Sequence, residues 1–385
     1  MAITLLITDG DLAVQGDPLD GWSNLDVTTK FNEPAAGTVT LPALPEVMAQ
    51  LQPGNRMVLI RDGSIWCAGP MEEPADYTWS VDSAQDPGEV VVNFSDDLAT
   101  IAGHIVWPEP ALTWAGQHGD TWRTFTTANA ETIIRTLVNE NAGPGALTAR
   151  RIPNLVLDSV AGAGSNTTIS SRFEPVLEAC RRTASAGGQI GFRTRQDGTQ
   201  IKFGCYTPVD KSATARFSTG LGNLRAVQFK RSAPTATHAL VAGNETAGSS
   251  IRTFVEIADT AAANEWWRVE KYLDGGAEND TAGELTAAGT GDLAESAAPV
   301  QLATVTVDTP DLQAGRDYGL GDKVAVALPH GLQAIDVVRS ITLSATPGSG
   351  ETVSSVIGSQ DATSDPQITR LVRTLSRRLG RLETR

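Results

Sequence analysis

The chain has 385 residues, which is enough for two or three domains with buried cores, so its size does not require disulfides or metals. The formal net charge is −15, but residues 366–385 carry six arginines against one glutamate, so that segment is +5 and the remainder is −20. A body this acidic repels nucleic acid and disfavours a phosphate-binding surface.

The cysteines and the apolar runs set two further limits. Cys67, Cys180 and Cys205 are far apart and form no Cys-x-x-Cys pair, so they indicate neither a disulfide framework nor a zinc site, and we expect buried free thiols. The N-terminus lacks the basic segment and the cleavage site of a signal peptide, and no run approaches the roughly 20 apolar residues of a membrane span. We expect a soluble protein that is made in the cytoplasm and does not insert into a membrane.

Residues 1–98 show the alternation and the turn signals of a small β-barrel or sandwich. The clearest hairpin is predicted at 55–68, where apolar residues alternate on both sides of Asp62-Gly63, a dipeptide that favours a tight turn. Residues 25–41 predict two more strands around an Asn-Glu-Pro break, and 89–94 is a β-branched run.

Residues 99–219 change to a helical period and predict an α+β insertion. Residues 129–141 place four aliphatic side chains on one helical face before a Gly-Pro stop. Ser171 and Glu174 have the spacing of a capping box for a second helix, and a hairpin is predicted to follow at 189–206. The core stripe predicted for the second helix consists of Phe173, Val176, Leu177, Cys180 and Ala184.

The stretch 220–243 joins the two halves of the chain. It predicts two short strands separated by a turn or an edge at Pro234, because proline cannot donate to a strand ladder. Residues 244–300 are rich in alanine, glycine, threonine and acidic residues and predict loops, with one helix near 261–272. Strand patterns return in 301–360. The last of these strands is predicted to place on one face Ile335, Val337, Ile341 and Leu343.

Residues 365–385 predict an amphipathic helix that opens with Asp365-Pro366. Its apolar residues are spaced by three and four, nearly a heptad repeat, and a helix this short needs a partner. Packing on its own domain and self-association both satisfy that need, and we favour self-association as a coiled coil. The predicted seam consists of Ile368, Leu371, Val372, Leu375, Leu379 and Leu382.

No pattern in the sequence predicts an active site. The four histidines have no metal-ligand spacing, and a nucleophile elbow, a P-loop and a dinucleotide fingerprint are all lacking. Carboxylates are numerous enough for a glycosidase pair, but nothing in their spacing favours one. Asp9-Gly10-Asp11 resembles the start of a calcium loop, but the remaining ligands are missing and a β-turn is favoured. We therefore expect no catalytic, cofactor-binding or metal-binding residues.

Trp107, Trp114 and Trp122 lie close together in sequence. Aromatic rings stack on sugars, so a glycan-binding face is one interpretation of the three residues. The other interpretation, which we favour, is aromatic packing where the first β domain meets the insertion.

Four passages, in their order along the chain, resemble the minor tail proteins of actinobacterial siphophages. They are 141–157 (NAGPGALTARRIPNLVL), 173–208 with its GFRTRQDGTQIKFGCYTP hairpin, 220–243 (GLGNLRAVQFKRSAPTATHALVAG) and 318–343 with YGLGDKVAV and DVVRSITL. Residues 22–34 and 95–108 fit the N-terminal portion of the same family. The resemblance covers most of 20–360, but little of 250–299 matches.

This resemblance implies a baseplate hub at the tail tip, in which three copies form a ring and each copy contributes two β-barrel-like domains. The implied fold is α+β and predominantly β. Its implied domains are a first barrel-like hub domain (1–98 with 220–243), a peripheral α+β insertion (99–219), a loop-rich insertion (244–300), a second barrel-like hub domain (301–360) and the C-terminal helix (365–385).

The implied function is structural: the hub joins the tail tube to the tail tip and lets DNA pass without specific binding. The implied partners are two further copies, the tail tube or distal tail protein ring, and a downstream tail-tip or tape measure protein, in a virion assembled in the host cytoplasm. Two alternatives stay open. One is a cell-wall hydrolase, although residues 366–385 leave no room for a catalytic domain; the other is a glycan- or receptor-binding tip module that uses the tryptophans.

Overall fold

A computed structural model describes residues 3–72, 76–78, 88–231, 233–245, 251–274, 281–297, 300–306, 308–328, 331, 333–348 and 350–358. Its helices are α1 (Pro45–Gln50), α2 (Leu98–Ala102), α3 (Ala130–Asn141), α4 (Val176–Ala186), α5 (Thr260–Glu265) and α6 (Ala282–Ser296). Within these residues no helix is long and apolar enough to cross a membrane.

The strands of the N-terminal half are β1 (Ile3–Thr8), β2 (Val14–Gln15), β3 (Asn24–Lys30), β4 (Glu33–Pro42), β5 (Arg56–Arg61), β6 (Ser64–Pro70), β7 (Asp76–Thr78), β8 (Glu89–Phe94), β9 (Arg123–Asn129), β10 (Leu155–Leu157) and β11 (Asn166–Ser171). Those that follow are β12 (Gly191–Asp197), β13 (Gln200–Tyr206), β14 (Arg216–Phe217), β15 (Leu224–Arg231), β16 (His238–Glu245), β17 (Arg252–Ala258), β18 (Glu270–Asp274), β19 (Val300–Thr306), β20 (Lys323–Ala327), β21 (Gln333–Thr346) and β22 (Gly350–Gly358).

A ten-stranded sheet combines both parts of the predicted hub. Its strands run in the order β15-β19-β22-β21-β3-β4-β8-β7, with β20 and β14 attached beside β21. Because β21 pairs antiparallel with β3, Ala345 lies opposite Leu25. Strands from both predicted barrels therefore belong to one open sheet, and no closed barrel is formed by the described residues. The barrel prediction failed because alternation identifies the buried face of a strand but not whether the two end strands meet.

A second sheet, in the order β2-β1-β5-β6, shares its core with the first. Leu5 and Leu59 from this sheet belong to one hydrophobic cluster with Val39 and Leu343 from the ten-stranded sheet, and all four are fully buried. Burial of each such side chain is worth about 1.5–3 kcal/mol. The two predicted hub domains are thus joined by a common core as well as by a common sheet.

Two hairpins predicted from the sequence are confirmed. The one at 55–68 is formed by β5 and β6, and Gly63 in its turn has a φ of 78°. The one at 189–206 is formed by β12 and β13, where Asp197 lies opposite Gln200. Asp62-Gly63 forms the first turn, and in the second Gly198 follows Asp197 directly with a φ of 58°, so each Asp-Gly pair lies at its turn.

The α+β insertion has its own core. Helix α3 begins as predicted, with the Asn129 side chain accepting hydrogen bonds from the backbone N–H groups of Glu131 and Thr132. This helix and α4 pack together over the three-stranded sheet β10-β13-β12 and the pair β9-β11. The buried thiols Cys180 and Cys205 lie in this cluster, and Cys67 lies in the main core, so the expectation of free buried cysteines is confirmed.

The capping box predicted at Ser171 and Glu174 is wrong. Ser171 is the last residue of β11, and α4 begins only after Pro175, with no side-chain cap. A residue that precedes proline is disfavoured in the helical region, so the chain cannot turn helical at Glu174. Phe173 consequently lies outside the helix with a φ of 56° and is 42% exposed, while the other four residues of the predicted stripe are buried.

Residues 238–296 form a second unit, although loops were predicted for 244–300. Strands β17, β16 and β18 make a three-stranded sheet, and α6 packs on one face of it. The helix predicted near 261–272 is only α5, followed by β18. The sequence signal for α6 is weak because the helix contacts this sheet on one side and β11 and α4 on the other, which leaves it without a simple amphipathic pattern. A capping box does occur here, between Thr281 and Glu284.

The stretch 220–243 is divided between two sheets. β15 pairs with β19 of the ten-stranded sheet, whereas β16 belongs to the three-stranded sheet, and Pro234 lies between the two strands. Leu224 is buried in the main core. The family resemblance placed this stretch with residues 1–98 in the first hub domain. In the structure, β15 pairs with β19, and Leu224 shares one hydrophobic cluster with side chains of the N-terminal strands.

Candidate functional site

The apolar seam predicted for assembly, from Ile368 to Leu382, lies outside the described residues. Its self-association therefore stays a prediction. The sites that the structure does describe are contacts that hold the units of the chain together and surfaces on which partners could bind.

The three tryptophans predicted as a cluster occupy separate environments. The guanidinium of Arg150 lies 4.0 Å from the ring centroid of Trp107, and that of Arg172 lies 4.3 Å from the ring centroid of Trp122. Each arginine covers a ring face that a sugar would need. Trp114 follows a turn and is 80% exposed. Nothing in the sequence indicated the two arginines, because each is distant along the chain from its ring.

The Asp9-Gly10-Asp11 segment is a turn, as favoured from the sequence. One carboxylate oxygen of Asp9 accepts hydrogen bonds from the backbone N–H groups of Asp11 and Ala13, both at 2.9 Å, and the other accepts from the Gln15 amide. These donors occupy the oxygens that a cation would need. Across the described ranges, no group of three histidine, cysteine or acidic residues is placed to hold a metal ion.

The described histidines have local partners. Both ring nitrogens of His104 lie 2.9 Å from backbone carbonyl oxygens, those of Thr100 and Arg150. On the surface, the hydrogen bond and the charge of Glu109 raise the pKa of His118 above its ordinary value. His104 therefore ties α2 to the 148–150 turn, and His118 fixes its own loop.

Arg61 at the end of β5 connects the N-terminal sheet to the C-terminal strands. Its guanidinium lies 2.5 Å from the carboxylate of Asp308 and 2.6 Å from that of Glu351, and only 6% of the arginine side chain is exposed. The same group lies 4.9 Å from the ring centroid of Trp66. Burial lowers the pKa of Arg61, but its hydrogen bonds to both carboxylates outweigh that effect and hold the pKa above its ordinary value.

A second buried ion pair connects the N-terminal sheet to the start of the insertion. The guanidinium of Arg56 binds both carboxylate oxygens of Asp97, and its Nη2 atom also donates to the Gln196 side chain at 3.2 Å. Burial raises the pKa of Asp97, and the Arg56 partner opposes that rise. Arg56 thereby contacts both α2's N-cap residue and the β12 strand of the insertion.

Asn32 provides a third connection, at the turn between β3 and β4. Its amide nitrogen donates to the carbonyl of Ile190 at 2.9 Å, and its oxygen accepts from the N–H of Phe192 at 2.8 Å. The side chain thus continues the ladder at the start of β12. Nearby, Arg181 of α4 pairs with Glu33 at 2.9 Å.

The body and its two insertions together define a fold that is shared with prophage tail proteins. The 43 kDa tail protein of prophage MuSo2 from Shewanella oneidensis aligns with a TM-score of 0.56 at 13% identity, over 93% of this chain and 99% of that one. The tail protein from Neisseria meningitidis aligns with a TM-score of 0.53 at 13% identity, over 94% and 97%. Prophage tail protein gp18 from Listeria monocytogenes aligns with a TM-score of 0.56 at 8% identity, over 96% and 99%.

A family model gives the more specific relationship. Residues 4–359 match the family described as Siphovirus ReqiPepy6 Gp37-like protein, and the chain belongs to this family. A comparison with curated proteins finds no match. The siphophage assignment made from the four sequence passages is therefore confirmed as membership of a siphovirus protein family.

Proposed function

We propose that this protein is a structural baseplate hub at the tail tip of an actinobacterial siphophage. Three copies form a ring that joins the tail tube, or the distal tail protein ring, to a downstream tail-tip or tape measure protein. DNA passes through the ring during ejection without being bound specifically. The protein has no catalytic step in this role.

The observation that carries this proposal is the construction of one β body from distant parts of the chain. Leu25 in β3 lies opposite Ala345 in β21, while 99–206 and 238–296 leave the body and return as insertions. Among the described residues the ten-stranded sheet is open, with β15 at one end of its path and β7 at the other, and an open edge is a surface that a neighbouring copy can extend. The shared tail-protein fold and the siphovirus family support the same role.

The native mass of the purified full chain tests the ring. We expect three times the 40.5 kDa chain mass, and ring-shaped particles in electron micrographs. Antibody labelling of purified virions tests the position separately, with label expected at the tail tip. A monomer at every concentration that is also absent from virions would reject the hub role, whereas label along the tail shaft would reject only the tip position.

A second candidate function is glycan binding at the tail tip, and it is favoured by the 80% exposure of Trp114. Binding to an array of cell-wall sugars that is lost in Trp114→Ala but kept in Trp122→Ala would support it. Trp122 is the matched control because Arg172 already covers its ring. No binding by the unmodified protein would leave the hub as the remaining function.

The charge of the body fits the passage of DNA. Residues outside 366–385 carry a net charge of −20, and an acidic channel wall keeps a polyanion from adhering. The proposed ring therefore has an acidic lumen. A structure of the assembled ring with a basic lumen would contradict this part of the proposal.

A further inference from the structure

The three-stranded sheet has one face turned away from α6, and this face carries three exposed large side chains among charged residues. Leu240 in β16 lies directly opposite Tyr272 in β18, and Phe254 in β17 lies opposite Ala242, the next residue of β16 on the same face. Leu240, Phe254 and Tyr272 are 42%, 53% and 54% exposed. We call this group the outer face. The alternate residues, such as Ala239 and Val241, are buried against α6.

Three large side chains exposed together on one sheet face are unusual. Single exposed apolar residues need no explanation, but a contiguous group with a polar rim marks an interaction surface. The strands of this unit carry their polar residues around the group. The outer face is therefore a candidate docking surface, and its rim indicates the kind of partner.

Carboxylates outnumber the cations on that rim. The guanidinium of Arg268 lies 2.6 Å from the carboxylates of both Glu256 and Glu270, so one arginine pairs with two carboxylates. Arg252 likewise lies 3.1 Å from Asp274 and 3.7 Å from Glu245. The sequence of the whole unit, 238–296, contains eleven acidic and three basic residues. A partner with apolar and basic residues matches this surface.

The described chain ends beside this unit. Gly358, the last residue of β22, pairs with Gln301 at the start of β19, and the neighbouring Val300 pairs with Arg231. The chain enters the three-stranded unit after Arg231 and leaves it before Val300, so Gly358 lies at its base. Residues 359–365 can span up to roughly 25 Å when extended.

We propose that residues 366–385 dock on the outer face of the same chain. The sequence of that segment predicts an amphipathic helix with an apolar stripe, and its six arginines against one glutamate complement the excess of carboxylates around Leu240, Phe254 and Tyr272. Such a helix needs a partner surface, because it is too short to be stable alone. This docking replaces the self-association that the sequence predicts, and it does not depend on the hub function.

Hydrogen exchange of residues 366–385, measured by mass spectrometry in the full chain, tests the docking. We expect protection that persists on dilution, falls at least tenfold in the double variant Phe254→Ser/Tyr272→Ser, and weakens in 0.5 M salt because part of the attraction is between exposed charges. Val160→Ser is the matched control, since Val160 is 70% exposed on the other insertion. Circular dichroism confirms that the double variant stays folded, as is expected for substitutions of exposed side chains.

Three results would overturn the proposal. Unprotected exchange of residues 366–385 in the wild-type protein means that they do not dock. Protection that is unchanged in the double variant means that they dock elsewhere. Protection that disappears on dilution means that the apolar stripe associates between chains, as the sequence predicts. Phe254→Leu should retain most of the protection, because it keeps an apolar side chain on the outer face.

Discussion

The Arg61 guanidinium donates a 2.6 Å hydrogen bond to the carboxylate of Glu351, a residue 290 positions later in the chain. With Asp308 it forms a buried group of one cation and two anions at the place where the N-terminal sheet meets the C-terminal strands. Removal of the cation would leave two carboxylates buried without a partner, and the loss of one partner of a buried ion pair costs about 3–5 kcal/mol.

We therefore expect Arg61→Met to lower the free energy of unfolding by about 3–5 kcal/mol, measured by urea denaturation. The control is Arg316→Met, because Arg316 pairs with Asp317 on the surface and should leave the denaturation midpoint nearly unchanged. If Arg61→Met behaves like the control, the buried group does not hold the two parts of the body together.

Two glycines of α6 should respond in opposite directions to the same substitution. A Cβ atom on Gly289 would lie 2.6 Å from Ile257 and 2.9 Å from Val241, so Gly289→Ala must displace the sheet side chains and should cost about 1–3 kcal/mol. A Cβ atom on Gly291 meets nothing within 4 Å, so Gly291→Ala should stabilise the helix by about 0.5–1 kcal/mol. Thermal unfolding of both variants checks the pair, and equal effects would contradict the packing of α6 on β16 and β17.

Asp96 gives a prediction about pH. Burial, and then the negative charge of the adjacent Asp97, raise the pKa of Asp96 to about 7, despite hydrogen bonds from backbone N–H groups. Because its pKa is about 3.9 in the unfolded chain, the folded state binds the proton more tightly, and this group's contribution to stability decreases as the pH rises from about 4 to 7.

Asp96→Asn removes that titration while it keeps an oxygen that can accept from the N–H of Leu98. We expect the variant to gain stability relative to the wild type as the pH rises from 5 to 8, in denaturation curves recorded at each pH. The control is Asp197→Asn, because the hydrogen bond from Lys202 lowers the pKa of Asp197 and its contribution is constant over this range. A difference between Asp96→Asn and wild type that does not change with pH would refute the assignment.

Local turn chemistry and helical periodicity were sufficient to predict several elements. The Asp-Gly turns, the helical face in 129–141 and the apolar stripe from Val176 to Ala184 depend on residues within one or two turns of each other, and the structure confirms them. The siphovirus family also followed from passages of ordered sequence.

Long-range pairing could not be predicted in the same way. The last long strand was expected to bury Ile335 with Ile341 and Leu343, but Ile335 is 51% exposed while Val338, Ile341 and Leu343 are buried. An irregularity against β22 between Val338 and Ser340 shifts the register, and such a shift exchanges the two faces of a strand. Periodicity alone does not show where along a strand such a register shift occurs.

The connecting side chains were missed for a related reason. Arg61 and Asn32 look like ordinary strand-end and turn residues in the sequence, and their partners are remote along the chain. Only the fold brings Glu351 to Arg61, and Ile190 to Asn32. Contacts of this kind leave no local pattern, so sequence analysis finds the elements of the body and the insertion but not the connections between them.

Two physical effects meet at Asn32, a left-handed backbone conformation and two side-chain hydrogen bonds, and two substitutions can separate them. Asn32 has a φ of 58°, a conformation that costs most residues other than glycine and asparagine, and its side chain makes both hydrogen bonds to β12. Asn32→Gly relieves the backbone but loses the bonds, and we expect it to cost about 1–3 kcal/mol from the unpaired groups of Ile190 and Phe192. Asn32→Ala should cost about 1 kcal/mol more, because it adds backbone strain. Hydrogen exchange at the start of β12 should accelerate in both variants, and an unchanged exchange rate there would mean that Asn32 does not hold the insertion against the body.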